Sequence, residues 1–262
     1  MTVPLTYLDF LLVAVVAPIA LLALRARRHL TRQFVAGVAV VTLVGLVYTT
    51  PWDNALVARG VWWYGEGTVL ARLYYAPLEE YLFILLQPVL VALWLAWCWP
   101  RSGADAAPAG TTAAPANWAT ADWRLRLPGI VAGLAVSAMG VALLTGTSTL
   151  YIGAILAWAG PVLALQWGFG WWFLWRCRRL VGLAVGAPTA YLAAVDRVAI
   201  ELGIWTLSPV YTTGLTVLGL PIEEGAFFLV TCAFVVQGLV LFRWVVDQPT
   251  ATTAAPAEPA TH

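Results

Sequence analysis

Residues 53–64 read DNALVARGVWWY and residues 77–83 read PLEEYLF; further on, 196–207 read DRVAIELGIWTL and 221–228 read PIEEGAFF. The two passages are copies of one another. Asp53, Gly60 and Trp62 match Asp196, Gly203 and Trp205 at an offset of 143. Pro77, Glu79, Glu80 and Phe83 match Pro221, Glu223, Glu224 and Phe227 at 144, so one residue has been inserted between the two groups of matches. Self-similarity at a fixed distance marks a duplicated structural unit, and this one carries a Pro-x-Glu-Glu motif twice into strongly apolar surroundings.

Those surroundings decide the fold class. The chain of 262 residues is 61% hydrophobic and 10% charged, with a mean hydropathy of +0.83. Soluble domains carry about a quarter charged residues, so this is an all-α integral membrane protein. A spanning helix needs about 20 mostly apolar residues, and seven such segments are predicted, over 6–24, 34–51, 73–99, 127–145, 149–175, 182–203 and 215–245. Each copy of the repeat is then a three-helix unit. Units with an odd number of helices, placed back to back, would lie inverted in the bilayer. The fourth segment, which has no counterpart, turns the second unit over. The expected architecture is two parallel three-helix repeats joined by an extra fourth helix, around a pseudo-two-fold axis along the membrane normal. The expected divisions are 1–100 for the first repeat, 101–122 for a linker, 123–146 for the connecting helix, 147–246 for the second repeat and 247–262 for a tail. The linker and tail, rich in Ala, Pro and Thr, cannot bury enough apolar surface to offset their ordering entropy.

Arginine placement sets an expected orientation. Eleven arginines (25, 27, 28, 32, 101, 124, 126, 176, 178, 179 and 243) fall on one side, and Arg59, Arg72 and Arg197 lie towards the other. By the positive-inside rule the N-terminus is outside and the C-terminus cytoplasmic in the cell membrane. No basic region precedes the first segment, which speaks against a cleaved signal peptide.

The inventory of reactive residues excludes several functions. All 14 basic residues are arginine, which rules out a retinal Schiff base on lysine and a P-loop nucleotide site. Cys98, Cys177 and Cys232 show no Cys-x-x-Cys spacing and the histidines are His29 and His262, so neither a zinc site nor a disulfide framework is expected. No Gly-x-Gly-x-x-Gly follows a strand-like segment, which excludes a dinucleotide-binding domain. A net charge of +1 offers no basic face for nucleic acid. What is left is acids and aromatics in lipid.

Intramembrane acids cost roughly 2.5–3.5 kcal/mol each on insertion scales and default to a functional reading. Glu79, Glu80, Glu223 and Glu224 are therefore the candidate catalytic residues, with Asp53 and Asp196 as supporting acids at comparable depth; the alternative is that they pair with arginines and pin helix ends. Pro77 and Pro221 open the motif helices, where a missing N–H is tolerated. Neighbours on a helix lie about 100° apart, so one glutamate of each pair should point into the bundle and the other sideways, towards Arg72, Arg197 or the interface. Trp62, Phe83, Trp205 and Phe227 are candidate stabilisers of a carbocation through their ring quadrupoles, the competing reading being an interfacial belt. Trp63, Tyr64, Tyr74, Tyr75, Tyr211 and Phe228 flank the same motifs. Trp94, Trp97, Trp99, Trp171 and Trp172 are expected to be belt residues, and Gln87, Gln166 and Gln237 to hydrogen-bond between helices.

Two three-helix halves, each with PxEE at the head of its third helix, resemble the integral-membrane lycopene cyclases, and PLEE at 77–80, PIEE at 221–224 and the opening LTYLDF resemble the fused archaeal and fungal form. The resemblance implies a lycopene β-cyclase, an intramolecular lyase of carotenoid biosynthesis that converts lycopene to β-carotene through γ-carotene without a cofactor or metal. It implies lipid-soluble lycopene and the bilayer as partners, and other carotenoid-pathway enzymes or a second copy of the chain as candidates. The chemistry also fits the residues. Protonating the end-group alkene gives a tertiary cation, the chain folds onto it, and loss of another proton leaves the ring. That needs a protonated carboxyl, a base, and a dry aromatic wall, since water would trap the cation as an alcohol. Rival readings are a proton-coupled transporter and a carotenoid hydratase using the same acid. A structural subunit is disfavoured because both halves are present. An intramembrane protease of the EExxxR kind is disfavoured because Ile84 and Phe228 stand where arginine would be.

Overall fold

The computed structural model describes residues 5–102, 119 and 121–247. Nearly all of the 101–122 linker, and the tail from 248, lie outside the described residues. Among the described residues seven helices are long and apolar enough to cross a membrane: α1 (Tyr7–His29), α2 (Arg32–Arg59), α3 (Leu78–Arg101), α4 (Trp123–Leu143), α5 (Leu150–Arg176), α6 (Arg178–Glu201) and α7 (Ile222–Val246). Their number and order are those the apolar runs predict, but several ends differ. The predicted second segment stops at 51, whereas α2 runs through Pro51 and Asp53 to Arg59. The predicted third and seventh begin at 73 and 215, yet those stretches form short hairpins. Strand β2 (Arg72–Leu73) pairs with β3 (Ala76–Pro77), and β5 (Thr216–Val217) with β6 (Leu220–Pro221). Apolar composition does not distinguish a short strand from a first helical turn. The motif prolines accordingly stand at the N-cap, one place before the helix, rather than inside its first turn.

Helices α2 and α6 stop in the same way. Gly60 (φ 72°) and Gly203 (φ 71°) adopt the left-handed conformation that a residue with a Cβ resists. The following amides reach back, Val61 to the Leu56 carbonyl at 3.1 Å and Ile204 to Ala199 at 3.0 Å, which is how a glycine closes a helix end. The chain then leaves each helix as a strand, β1 (Trp62–Tyr64) or β4 (Trp205–Leu207). These two pair antiparallel, with Trp62 opposite Leu207, Trp63 opposite Thr206 and Tyr64 opposite Trp205. The distant passages quoted at the outset are thus hydrogen-bonded to one another.

Helices α3 and α7 are the centre of the bundle. α3 packs on α1, α2, α6 and α7, and α7 on α5, α6, α2 and α3. Fully buried Leu95, Val236 and Val240 lie in their shared core, and a second core around Leu11, Ile155 and Ile204 closes the motif end. Helix α4 lies along α5. A Cβ on Gly129, Gly133 or Gly140 would strike the α5 backbone at Trp167, Ala164 or Ala157, and one on Gly160 would strike Ser137. Small residues let two backbones approach closely in lipid, where dispersion rather than water exclusion holds helices together. Ser137 Oγ adds a hydrogen bond to the Ala157 carbonyl at 3.1 Å.

Helix α1 contains a π turn over Leu12–Val16. Tyr7 and Pro18 are separated by eleven positions there, whereas Tyr151 and Pro161 in α5 are separated by ten. A π turn is the way a helix absorbs one extra residue. The Ala14 carbonyl inside it accepts the Tyr191 hydroxyl of α6 at 2.8 Å.

Two sets of expectations about polar and aromatic residues meet different outcomes. Each of the three glutamines does bond across helices: Gln87 to Cys232 Sγ at 3.6 Å, Gln166 to the Phe234 carbonyl at 2.9 Å, and Gln237 from Trp167 Nε1 at 3.0 Å. Trp99 and Trp172, expected in a belt, are instead buried in the core of the opposite end. Composition places tryptophan near an interface but does not show which face of its helix meets the neighbours.

Candidate active site

The glycine caps and the antiparallel ladder deliver side chains to one place. Side chains alternate along a strand, so Trp62 and Tyr64 turn inward while Trp63 stays half exposed. Asp53 and Asp196, two turns before their capping glycines, are buried on α2 and α6. Glu80 and Glu224 sit third in α3 and α7, in the first turn of each helix. Asp53, Trp62, Glu80, Asp196 and Glu224, from five elements of the chain's two halves, line a single cavity of about 60 Å³.

Its polar wall is Asp53, Glu80, Asp196 and Glu224 with the hydroxyls of Tyr7 and Tyr151; its apolar wall is Trp52, Trp62, Phe83, Trp205, Phe227 and Phe228, closed by Leu207. The rings brace one another. Trp52 stacks on Phe227 with centroids 5.9 Å apart, Trp62 meets Tyr151 at 5.5 Å, and Tyr7 meets Trp205 at 4.9 Å. Trp52 is held by its indole N–H on the Ala154 carbonyl at 3.2 Å. Each cavity glutamate receives phenol hydrogens. Tyr64 donates to Glu80 Oε1 at 2.7 Å, and Tyr151 donates to Glu224 Oε1 at 2.9 Å. Burial, with the carboxyls of Glu80 and Asp53 next in effect, pushes the Tyr64 phenol well above its ordinary range, so it is a neutral donor.

Glu79 and Glu223 point elsewhere. Both are fully buried, and each ties down the loop that precedes its hairpin. Glu79 Oε1 accepts from the Leu70 amide at 2.8 Å; Glu223 Oε1 accepts from the Thr213 amide at 2.7 Å and its hydroxyl at 2.8 Å. Of the sideways partners expected, Arg72, Arg197 or the interface, the two arginines are engaged elsewhere: Arg72 lies over the Tyr64 ring and bonds the Tyr75 carbonyl, and Arg197 pairs with Glu201. Backbone amides win because they are nearby, need a partner when buried, and cost no long side chain its freedom. These bonds also locate the inserted residue. Leu70 and Thr213 are 143 apart, but the next pair of equivalent bonds, Leu78 to Ala71 and Ile222 to Leu215, is 144 apart. Gly214, at φ 75°, is the addition.

The candidates Asp53, Asp196, Glu80, Glu224, Trp62, Phe83, Trp205 and Phe227 are brought together, whereas Glu79, Glu223, Pro77 and Pro221 shape the loops around them. Tyr74 and Tyr75 sit exposed on a hairpin tip. Sequence reading overlooked Tyr7, Trp52 and Tyr151. The first and last carry a signal, since they are 144 apart and each precedes the same kind of apolar helix. Trp52 carries none, because no tryptophan stands at its counterpart. Among the described residues no group of three His, Cys, Asp or Glu is placed to hold a metal ion.

The sequence model of a family described as lycopene cyclase matches residues 5–98 and 142–242, passing over most of α4. A lycopene beta-cyclase of Halobacterium salinarum is 51% identical over 242 residues, covering 92% of this chain and 97% of that one. A bifunctional lycopene cyclase/phytoene synthase of Aspergillus oryzae is 31% identical over 256 residues, 93% of this chain and 41% of the fungal one. A protein described in the same words from Sporisorium reilianum is 32% identical over 270 residues, 97% and 38% respectively. No solved structure matches.

Proposed function

This chain belongs to the lycopene cyclase family, and from that premise we propose how its own residues cyclise lycopene to β-carotene in the membrane. The observation that carries the reading is the one cavity where four carboxyls from both halves meet six aromatic rings. Glu80 and Glu224 are the acid–base pair, because they face the cavity while Glu79 and Glu223 are spent on loop amides. One of the pair gives a proton to the terminal alkene of the carotenoid. The resulting tertiary cation is attacked by the next double bond, closing the ring, and the other takes a proton from a ring carbon. Trp52, Trp62, Trp205 and Phe227 offer their negative ring faces to the cation and keep water from quenching it. Asp53 and Asp196 support the pair, and the phenols of Tyr64 and Tyr151 hold its carboxyls in place. The reaction is redox-neutral, with every proton consumed matched by one released.

The experiment is turnover in D2O. Each ring formed carries one solvent deuteron at the carbon protonated first, read by mass spectrometry. Cyclic product free of deuterium overturns proton-initiated closure, and a hydroxylated product favours the hydratase reading.

The reading includes the arrangement of the halves as parallel repeats about a pseudo-two-fold axis. Exchange of partners across the β1–β4 ladder supports it. Gly65 donates to Ile204 at 3.0 Å while Ser208 donates to Val61 at 2.8 Å, and these are the same bond with the halves swapped. Trp63 and Thr206, equivalent at 143, pair with each other and so stand at the axis. Tyr7 and Tyr151 each anchor a helix start to a loop carbonyl, Thr68 at 2.7 Å and Tyr211 at 3.1 Å. The arginine distribution supports an outer N-terminus and a cytoplasmic C-terminus. Reporter fusions in the 101–122 linker and after His262 should both read cytoplasmic; an external signal at either breaks the parallel arrangement.

A further inference from the structure

Glu80 and Glu224 occupy equivalent places in the two copies, yet their surroundings are not the same. The difference traces to one position of the repeat, Tyr64 on β1 and Leu207 on β4. Building on the acid–base reading above, we propose that Glu224 delivers the proton to the carotenoid, that Glu80 removes one from the ring, and that Tyr64 is the positioning residue that sets this division.

The argument runs through the two equivalent tryptophans. An indole N–H only donates. Trp62 Nε1 donates to the Tyr64 hydroxyl at 2.9 Å, which engages that oxygen as an acceptor and turns its own hydrogen onto Glu80 Oε1 at 2.7 Å. Tyr7 lines the cavity beside it. In the other half Leu207 cannot relay anything. Trp205 Nε1 therefore donates straight to Asp196 Oδ1 at 3.1 Å, and Glu224 has the Tyr151 hydroxyl alone, at 2.9 Å. An ionised carboxylate is an acceptor only, whereas a carboxylic acid must also place a hydrogen. Glu80, met by a phenol whose own oxygen is engaged by Trp62, has the setting of the acceptor. Glu224 is met by Tyr151 while the equivalent indole serves Asp196, and has the setting of a group that still presents a hydrogen to the cavity.

In the balanced step, the Glu224 O–H breaks and a C–H forms at the terminal alkene. The electron pair of the next double bond forms the ring bond. Glu80 takes a proton from a ring carbon, whose C–H pair becomes the ring double bond. The carotenoid is isomerised, Glu224 has lost one proton and Glu80 has gained one; exchange with solvent resets both carboxyls before the next ring closes. Because Glu80 chooses which ring C–H is broken, its aim decides where the double bond lies.

The test follows solvent deuterium in lycopene-loaded membranes carrying Glu80→Gln or Glu224→Gln. Without its acceptor, Glu80→Gln still forms the cation, which falls back or closes wrongly, so deuterium enters recovered lycopene or rings with a displaced double bond. Without its donor, Glu224→Gln returns lycopene unlabelled. The reverse pattern, label in both variants, or label in neither while the unsubstituted protein labels β-carotene, overturns the assignment. If the unsubstituted protein itself gives unlabelled β-carotene, the underlying acid–base reading fails instead. Should Glu80→Gln not accumulate in the membrane, Glu80→Asp keeps a carboxylate but shortens its reach, and should label lycopene faster than it closes rings; closure that keeps pace with labelling overturns the acceptor role. Tyr64→Phe separates aim from mere stability. It should lower the rate roughly tenfold, the scale of one hydrogen bond to a charged group, and shift the double bond in part of the product. Tyr151→Phe should slow the reaction without moving the double bond. Identical product ratios in the two phenylalanine variants overturn the role of Tyr64.

Discussion

Glu80→Gln and Glu224→Gln should each lower β-carotene formation by about 10²–10⁴-fold, the usual contribution of a general acid or base, when the protein is supplied to a lycopene-accumulating host. Glutamine keeps the size of the side chain and accepts the same phenol hydrogens, but it can neither give nor take the proton. Glu79→Gln and Glu223→Gln behave differently. Their oxygens serve the amides of Leu70 and Thr213, and a glutamine carbonyl can accept those bonds, so turnover stays within a few-fold while heat resistance in detergent falls by roughly the worth of a weakened buried hydrogen bond, about 1–3 kcal/mol. Pigment chromatography beside a thermal melt separates the two classes. Full activity in either cavity variant, or loss of turnover from Glu79→Gln with no loss of stability, contradicts the assignment of the pairs.

Splitting the chain gives an equally large effect. Residues 1–105 alone and 120–262 alone should form no cyclic product, and together they should restore it. Each half brings one cavity glutamate, one aspartate and its phenols, and neither can close the cavity without the other. The junction is extensive for a membrane protein. α3 packs on α6 and α7, α2 packs on α7, and β1 pairs with β4, so the halves have a specific surface on which to meet without a covalent link. α4 must travel with the second fragment, since its glycines seat on α5. Cyclisation by one fragment alone, measured after separate expression, is incompatible with a composite site.

The duplication was legible because rare residues, Asp, Gly, Trp and paired Glu, recur at 143 and 144 in an otherwise apolar chain. Length and hydropathy placed the seven spans, since crossing a bilayer fixes how many apolar residues a helix needs. The candidates Asp53, Glu80, Asp196 and Glu224 followed from the cost of an acid in lipid. What periodicity could not settle was which member of each Glu-Glu pair turns inward. Two residues about 100° apart on a helix are equivalent until neighbours occupy one side. The loop amides of Leu70 and Thr213 fill that side and claim Glu79 and Glu223. Nor could the sequence show Tyr7 and Tyr151 as cavity neighbours of the glutamates, because they lie 73 residues from them in the chain and meet only when α1 packs on α3 and α5 on α7. Tyr64 was visible as an aromatic beside the first motif and Leu207 as its aliphatic counterpart, but a tyrosine's effect depends on where its hydroxyl points. Here the ladder between β1 and β4 turns it into the cavity, with Trp62 behind it and Glu80 in front. Composition and spacing thus determined the helices, the repeat and the set of acids, properties carried by local chain chemistry; the tertiary fold decided which acids share a cavity and how the copies differ, because hydrogen-bond direction and side-chain facing exist only once the distant segments are packed.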